Sequence, residues 1–301
     1  MSGINDDLNG IICINKPMNF TSFDVVAKMR GILRLKRLGH AGTLDPIATG
    51  VLPVFAGKAT KACDIIPDHD KTYVAGFRLG FVSDTQDISG EVKEYERAKK
   101  ASREQLEASL EAFRGEIMQL PPMYSAVSVN GKRLYELARK GIEVEREPRK
   151  ITVYSLDLLE FDGERQEGTL EISCSKGTYI RTLINDIGEK LGCGAVMSSL
   201  VRTAACGFTL DNCVTLEELQ ENADAGNSAE RFLLPIEDVF SEYPSVKLCE
   251  HQEKLYRSGV RLDTRRINIM ENGIYRVFGS GFLGLGKADC ESSEFSVYKN
   301  F

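Results

Sequence analysis

Between Arg37 and Pro53 the chain sets a single acid, Asp45, among small residues, with Gly39, Gly42 and Gly50 spaced along the run. Glycine lets a backbone take positive φ or lie close against a ligand. Pro46 biases Asp45 away from helix and toward an extended conformation. The result is one carboxylate displayed on a tightly specified loop, where a rigid scaffold tends to hold its chemistry. Such a group can serve as nucleophile or base. The other candidates are Arg181, where a strand pattern gives way to a helix, and tyrosines on strands. Other chemistries find no support. There is no P-loop and no G-x-S-x-G elbow, Gly284-Leu285-Gly286 is a lone glycine pair of the kind turns use, and the three histidines are too scattered for a metal cluster. Redox cofactors and phosphoryl transfer are disfavoured, and no metal and no cofactor are expected.

The elements that must hold these groups follow from periodicity. Gly10–Asn15 reads as a strand stopped at Lys16-Pro17, and Val25, Val26, Met29, Ile32 and Leu33 make 22–34 a helix with a basic outer face. Lys71–Leu79 alternates, placing Tyr73, Ala75, Phe77 and Leu79 on one side of a strand. Ser102–Gln105 is a capping box opening a helix that Gly115 is expected to end. Two prolines and an Asn130-Gly131 turn then mark a long excursion, with a short helix at 132–140. Strands resume at Ile151–Phe161 and Gly168–Ser175, and Leu183, Ile184, Ile187 and Leu191 carry a helical stripe to Gly192. A further strand is expected at Thr203–Leu210 and a capped helix from Thr215. Asn272–Phe278 and Phe282–Ala288 look like strands between glycine turns, whereas 222–229 and 289–294 are polar enough for loose connectors.

Composition bounds the reading. A chain of 301 residues with 42% hydrophobic content fits one large domain or a large and a small one. Its most apolar stretches, Gly10–Ile14 and Ala48–Ala56, are too short to span a bilayer. Met1–Asp7 is polar and acidic, unlike a secretory leader. Eight cysteines without a C-x-x-C pair read as reduced, mostly core thiols in a cytoplasmic protein. The net charge of −6 conceals a division. Lys28–Lys61 holds seven basic residues against Asp45 alone, and Thr215–Phe301 holds 15 acids against 10 basic residues. The basic excess therefore surrounds the glycine loop, and it reads either as a solvated helix face followed by a turn or as a footprint for nucleic acid.

The run from Gly39 to Pro53 resembles the catalytic motif of the bacterial TruB-type tRNA pseudouridine synthases. Further stretches match that family in the same order: Asn15-Lys16-Pro17 with Thr21-Ser22, Asp70-Lys71-Thr72-Tyr73, and Cys174–Leu183. Pro122–Ala126, followed by Gly131–Tyr135, resembles the insertion that closes over the RNA loop. The match extends from about Gly10 to Arg202. Two positions depart from the family pattern: Asn19 stands where glycine is usual, and Ala41 where threonine is commoner. Asparagine tolerates left-handed geometry well, so the turn at Asn19 should survive.

The resemblance implies an α/β (α+β) fold with a mixed, largely antiparallel sheet, helices and an RNA-binding insertion at about 119–147. It places a catalytic domain at 1–240 and a small β-rich, PUA-like domain at 241–301. The implied reaction isomerises uridine to pseudouridine at position 55 in the TΨC arm of tRNA: a C–N glycosidic bond breaks, the base turns and a C–C bond forms, without cofactor. Asp45 would be the catalytic carboxylate, acting at the sugar C1′, at the base C6, or in the departure of uracil. Arg181 would hold it ionised, and Tyr73 would stack on the base and move a sugar proton. His40 would fill the stack left by the flipped base, Gly42 and Thr43 would contact the RNA, and Tyr179 and Leu200 would line the uracil pocket. The expected partner is the TΨC stem-loop alone, met by a cytoplasmic monomer without membrane or protein partner. The competing readings are a non-catalytic tRNA-binding or folding chaperone and a pseudouridine synthase acting on another RNA uridine.

Overall fold

The computed structural model describes residues 8–67, 70–96, 99–129 and 131–301, so the acidic leader Met1–Asp7 and Asn130 of the expected turn lie outside the described residues. The first third contains β1 (Gly10–Lys16), α1 (Ser22–Leu33), β2 (Leu38–His40), β3 (Thr49–Ala56), β4 (Lys71–Leu79), β5 (Phe81–Ser83) and β6 (Val92–Glu94). The middle contains α2 (Arg103–Leu110), β7 (Gly115–Gln119), β8 (Ser128–Val129), β9 (Lys132–Arg133), α3 (Leu134–Ala138), β10 (Arg149–Asp162), β11 (Glu167–Cys174) and α4 (Ile180–Leu191). The last third contains β12 (Ala195–Ala205), β13 (Phe208–Thr209), β14 (Cys213–Val214), α5 (Leu216–Asp224), β15 (Ser245–Lys247), α6 (Glu250–Arg257), β16 (Leu262–Asp263), β17 (Gly273–Phe278), β18 (Phe282–Asp289) and β19 (Glu294–Asn300).

Ten strands form one sheet in the order β14-β1-β3-β12-β4-β11-β10-β7, with β2 added beside β3 and β13 beside β12. The β1–β14 and β3–β12 pairs are parallel and the rest antiparallel, so the sheet is mixed and largely antiparallel as expected. Alternation decides what covers it. Tyr73, Ala75, Phe77 and Leu79 of β4 meet Leu106 and Leu110 of α2 and Leu183, Ile184 and Ile187 of α4. Ile12 and Ile14 of β1 meet Val25, Val26 and Met29 of α1 and Leu216 and Leu219 of α5. Ile11, Cys13, Val51 and Phe55, on the other face, pack with Phe240 and with Leu285 of β18. Each such fully buried large side chain stabilises the fold by about 1.5–3 kcal/mol. A second, five-stranded sheet, β15-β17-β18-β19-β16, lies wholly within 241–301, and its Leu285 belongs to the same apolar cluster as Phe240 of the larger sheet's cover.

Helix ends obey local chemistry. Thr21 caps α1 and Ser102 caps α2 through reciprocal capping boxes, and Gly192 closes α4 at φ +72°. Asn19 takes φ +65°, so asparagine fills the left-handed position as expected. Four expectations need correction. Helix α2 stops at Leu110, and Gly115, at φ +81°, opens the edge strand β7 instead of ending the helix. Strand β12 begins at Ala195, not Thr203, because the Gly192-Cys193-Gly194 turn reverses the chain directly into it. Residues 222–229 are no loose connector: Asn222 is buried at the end of α5 and donates to the carbonyls of Asn227 and Ser228. Likewise 289–294 is the tight turn of the β18–β19 hairpin, held by Asp289 accepting from the Glu291 and Ser292 amides.

Candidate active site

Asp45 sits in the turn between β2 and β3, where the Ala48 amide donates to the Asp45 carbonyl at 3.0 Å. Neighbouring segments fix this loop from three sides. Ser22, at the start of α1, accepts from the Leu44 amide at 2.9 Å. Lys16, fully buried at the end of β1, donates to the carbonyls of Pro17 (2.9 Å), Phe20 (2.5 Å) and Pro46 (3.4 Å), and the Asn19 amide also reaches Pro46 O at 2.8 Å. Arg202 of β12, also fully buried, donates from Nε to Val51 O at 2.7 Å and from Nη2 to Gly42 O at 3.1 Å. The Asn-Lys-Pro and Thr-Ser stretches therefore act as braces for the carboxylate loop.

Arg181 lies in the first turn of α4, 6% exposed. Its Nη2 is 3.4 Å from Asp45 Oδ1 and its Nε is 3.4 Å from Oδ2, while Nη2 makes a shorter bond of 2.6 Å to the Tyr124 carbonyl. The guanidinium thus faces Asp45 side-on, loosely, and ties it to the 119–147 excursion. The carboxyl pKa is nonetheless raised. Burial is the largest cause, and Arg181 and Lys16 pull down against it while the Asp87 charge pushes up. The expectation that the arginine would dominate needs correction: enclosure outweighs the ion pair, although the carboxylate retains a 34% exposed side chain from which to act.

Tyr73, on β4 opposite Ile172 and Arg202, is buried, and burial drives its phenol up to about 12 against the lowering influence of Arg202. It holds its proton more firmly than the ordinary phenol expected from the sequence, so less of it is in the base form at neutral pH. Tyr179 is the N-cap of α4, and its backbone is clamped in both directions by buried Gln119 of β7: Nε2 donates to Tyr179 O at 3.0 Å and Oε1 accepts from Tyr179 N at 2.8 Å. The Tyr179 ring lies 5.9 Å from the Arg181 guanidinium carbon. Leu200 is buried in the cluster that holds Tyr73, Leu44, Ala48 and Ile180. Gly42 and Thr43 are exposed on the loop. His40, at the end of β2, is half-buried with Nδ1 unbonded, and burial followed by Arg202 lowers its pKa, so the imidazole is neutral near pH 7. Asp45 and Arg181 are in direct contact, Tyr73 and Leu200 share an apolar cluster with their chain neighbours Leu44 and Ile180, and Gly42 and Thr43 lie on the loop that His40 leads into.

The sequence reading passed over Lys16 as a brace, Arg202, and Asp87. Arg202 had a readable signal, a charge sharing a strand face with core Leu200 two positions away. Asp87 had none, since Thr85-Gln86-Asp87-Ile88-Ser89 looks like any polar turn. In the fold its buried carboxylate accepts from Thr85 Oγ1 at 2.7 Å and Ser89 N at 2.9 Å, and Ile88 N binds Met197 O at 3.0 Å. The excursion folds as a short β8–β9 hairpin followed by α3; its Tyr124 carbonyl accepts from buried Arg181, and Tyr124 Oη donates to Asp84 Oδ2 on the exposed surface at 3.2 Å.

Comparison with known proteins identifies the chain's relatives. Residues 30–180 match the N-terminal domain of the TruB family of pseudouridylate synthases, and 181–241 match the tRNA pseudouridylate synthase B C-terminal domain. The chain is 44% identical over 283 residues to tRNA pseudouridine synthase B of Clostridium tetani (strain Massachusetts / E88), covering 93% of this chain and 96% of the relative. It is likewise 44% identical over 288 residues to the protein of that name from Pseudomonas syringae pv. syringae (strain B728a), covering 94% and 93%. Among solved structures, a Cbf5-Nop10-Gar1 complex contains a chain that superposes with a TM-score of 0.72 at 26% identity, covering 97% of this chain and 84% of that one. The chain belongs to the TruB family of pseudouridylate synthases.

Proposed function

We propose that this protein isomerises uridine to pseudouridine in tRNA, at position 55 of the TΨC arm, with Asp45 as the working carboxylate. The tRNA substrate follows from relatives at 44% identity named tRNA pseudouridine synthase B. The observation that carries the site assignment is the meeting of Asp45 and Arg181 at 3.4 Å on a loop that three separate segments brace. In the reaction the C1′–N1 bond breaks and a C1′–C5 bond forms, while C5 loses a proton and N1 gains one, so nothing is added or removed. Whether Asp45 engages C1′ or C6, it must be ionised. The charges acting on it are Arg181 and Lys16 against the carboxylate of Asp87, so two cations face it for one further acid, a setting suited to a phosphodiester chain.

Uridine in a folded T-loop must leave its stack before Asp45 can reach it, at a cost of a few kcal/mol. His40 fits the role of filling the gap, because a neutral imidazole enters a base stack without a desolvated charge. Tyr73, Tyr179 and Leu200 would hold the extruded uracil, and Gly42 and Thr43 present exposed backbone to the RNA. The excursion at 119–147, carrying exposed Lys132, Arg133, Arg139 and Lys140, would close over the loop. Residues 241–301 are read as a small C-terminal RNA-binding unit. We take the protein to act as a monomer in the cytoplasm; no helix among the described residues is long and apolar enough to cross a membrane. A purified sample incubated with an unmodified tRNA transcript should yield pseudouridine at position 55, mapped by chemical-adduct stops. Product at another uridine, or none, would retire the reading.

A further inference from the structure

We propose that Arg202 is a positioning residue, a single buried guanidinium that locks the Tyr73 hydroxyl to the carbonyls of the Asp45 loop and so fixes the two reacting side chains relative to each other. The proposal rests on the uridine-isomerising reading for its catalytic consequence, though not for its structural one.

Arg202 has 0% exposure, yet among the described residues no carboxylate lies within ion-pair distance of it. Burying an arginine without a counter-ion is costly unless its donors are spent well. Here they are spent on the loop: Nε on Val51 O at 2.7 Å, Nη2 on Gly42 O at 3.1 Å and Nη1 toward Thr43 O at 3.5 Å. The same residue is the direct antiparallel partner of Tyr73, so both side chains leave the sheet on one face and the guanidinium stands beside the phenol, whose proton its charge helps to release. A planar fork of five donors that is never deprotonated can hold these three carbonyls at fixed angles and still turn a donor toward the phenol, which a lysine ammonium cannot reproduce. The backbone is fitted to this arrangement as well. Gly50, at φ +103°, lies so close to the Arg202 strand that a Cβ there would stand 2.2 Å from Arg202 O, which keeps the loop's return strand seated against the arginine.

In the proposed lock the Tyr73 oxygen accepts, because a guanidinium only donates, and its own proton is turned away from Arg202. The charged and titratable groups facing that hydroxyl are Arg202 on β12, Cys174 on β11 and Asp45 on the loop. Arg202 alone among them both restrains the phenol and reaches the Asp45 loop.

A double-mutant cycle with purified full-length protein on tRNA transcript tests the claim. Arg202→Lys should lower kcat by about 100-fold, the scale of an ångström-sized misplacement, with KM little changed. In a Tyr73→Phe background the same substitution should cost at least about tenfold less, because the shared restraint is already broken. Penalties that simply multiply would overturn the proposal. Tyr73→Phe, which removes one hydroxyl and keeps the ring, gives a readout independent of activity and of whether any Arg202 variant folds. Amide hydrogen exchange across Ala41–Leu44 should quicken several-fold, and exchange identical to wild type would overturn the coupling. If the wild-type protein makes no pseudouridine, the functional reading fails while the exchange experiment still decides the Arg202–Tyr73 lock.

Discussion

At the scale of single residues, the proposed chemistry turns on Asp45, an enclosed carboxylate whose pKa is raised. Burial favours its proton, Arg181 and Lys16 oppose that, and burial prevails. The sign is explicit: activity that needs Asp45 ionised is present above the raised pKa and lost as pH falls through it. The acid limb of kcat/KM, which reports the free enzyme, should therefore have its midpoint above the ordinary carboxyl value of 3.8. Arg181→Met removes the larger of the two lowering charges, so its midpoint should move to higher pH; a midpoint that stays or falls would show that Arg181 does not govern the ionisation. Asp45 was legible from the sequence because a lone acid on a glycine loop is rare enough to notice. The net direction of its pKa was not, since it depends on how deeply the folded loop is buried and on Asp87, brought to it from a separate segment. Tyr73 makes the same point. Its place on a strand face followed from alternation, whereas its rise to about 12 follows from the strands that bury it.

At the scale of elements, the catalytic loop is held by contacts from β1, α1 and β12, and each contact has its own cost of removal. Ser22→Ala leaves the buried Leu44 amide without its acceptor and should destabilise the protein by about 1–3 kcal/mol, measured by urea unfolding. A loss below a few tenths would mean that water replaces the serine. Gly50→Ala places a Cβ against the Arg202 carbonyl at 2.2 Å on a backbone with φ +103°, so it should cost more than about 2 kcal/mol or abolish soluble expression. Helices α1, α4 and α5 were readable because capping boxes and a glycine C-cap mark their ends in local sequence. Strand β7 and the first half of β12 were not. Gly115-Glu116-Ile117-Met118 carries mostly exposed residues, which leave no alternation on an edge strand. The sequence Ala195–Met197 is a continuous apolar run that periodicity alone cannot tell from a buried helix.

At the scale of the whole molecule, a net charge of −6 coexists with seven exposed basic residues between Lys28 and Lys61. Binding to tRNA should weaken as salt rises, with a linear fall of log K against log salt, because phosphates neutralised by lysine and arginine release their counterions. Affinity indifferent to salt between 50 and 200 mM, a range typical of such titrations, would argue that this basic surface is not the RNA contact. Individual strands and helices were legible from their own patterns, and the mixed sheet followed from the family resemblance. How the five-stranded sheet seats Leu285 against Phe240 was not, since that contact joins segments far apart in the chain and depends on the shape of both faces. The most direct test of the central claim compares wild type with Asp45→Asn on the same unmodified tRNA transcript, reading pseudouridine at position 55 and tRNA affinity together. The account predicts turnover reduced by on the order of 10⁴ or more with affinity essentially kept; an Asp45→Asn protein that still forms pseudouridine at the wild-type rate would contradict it.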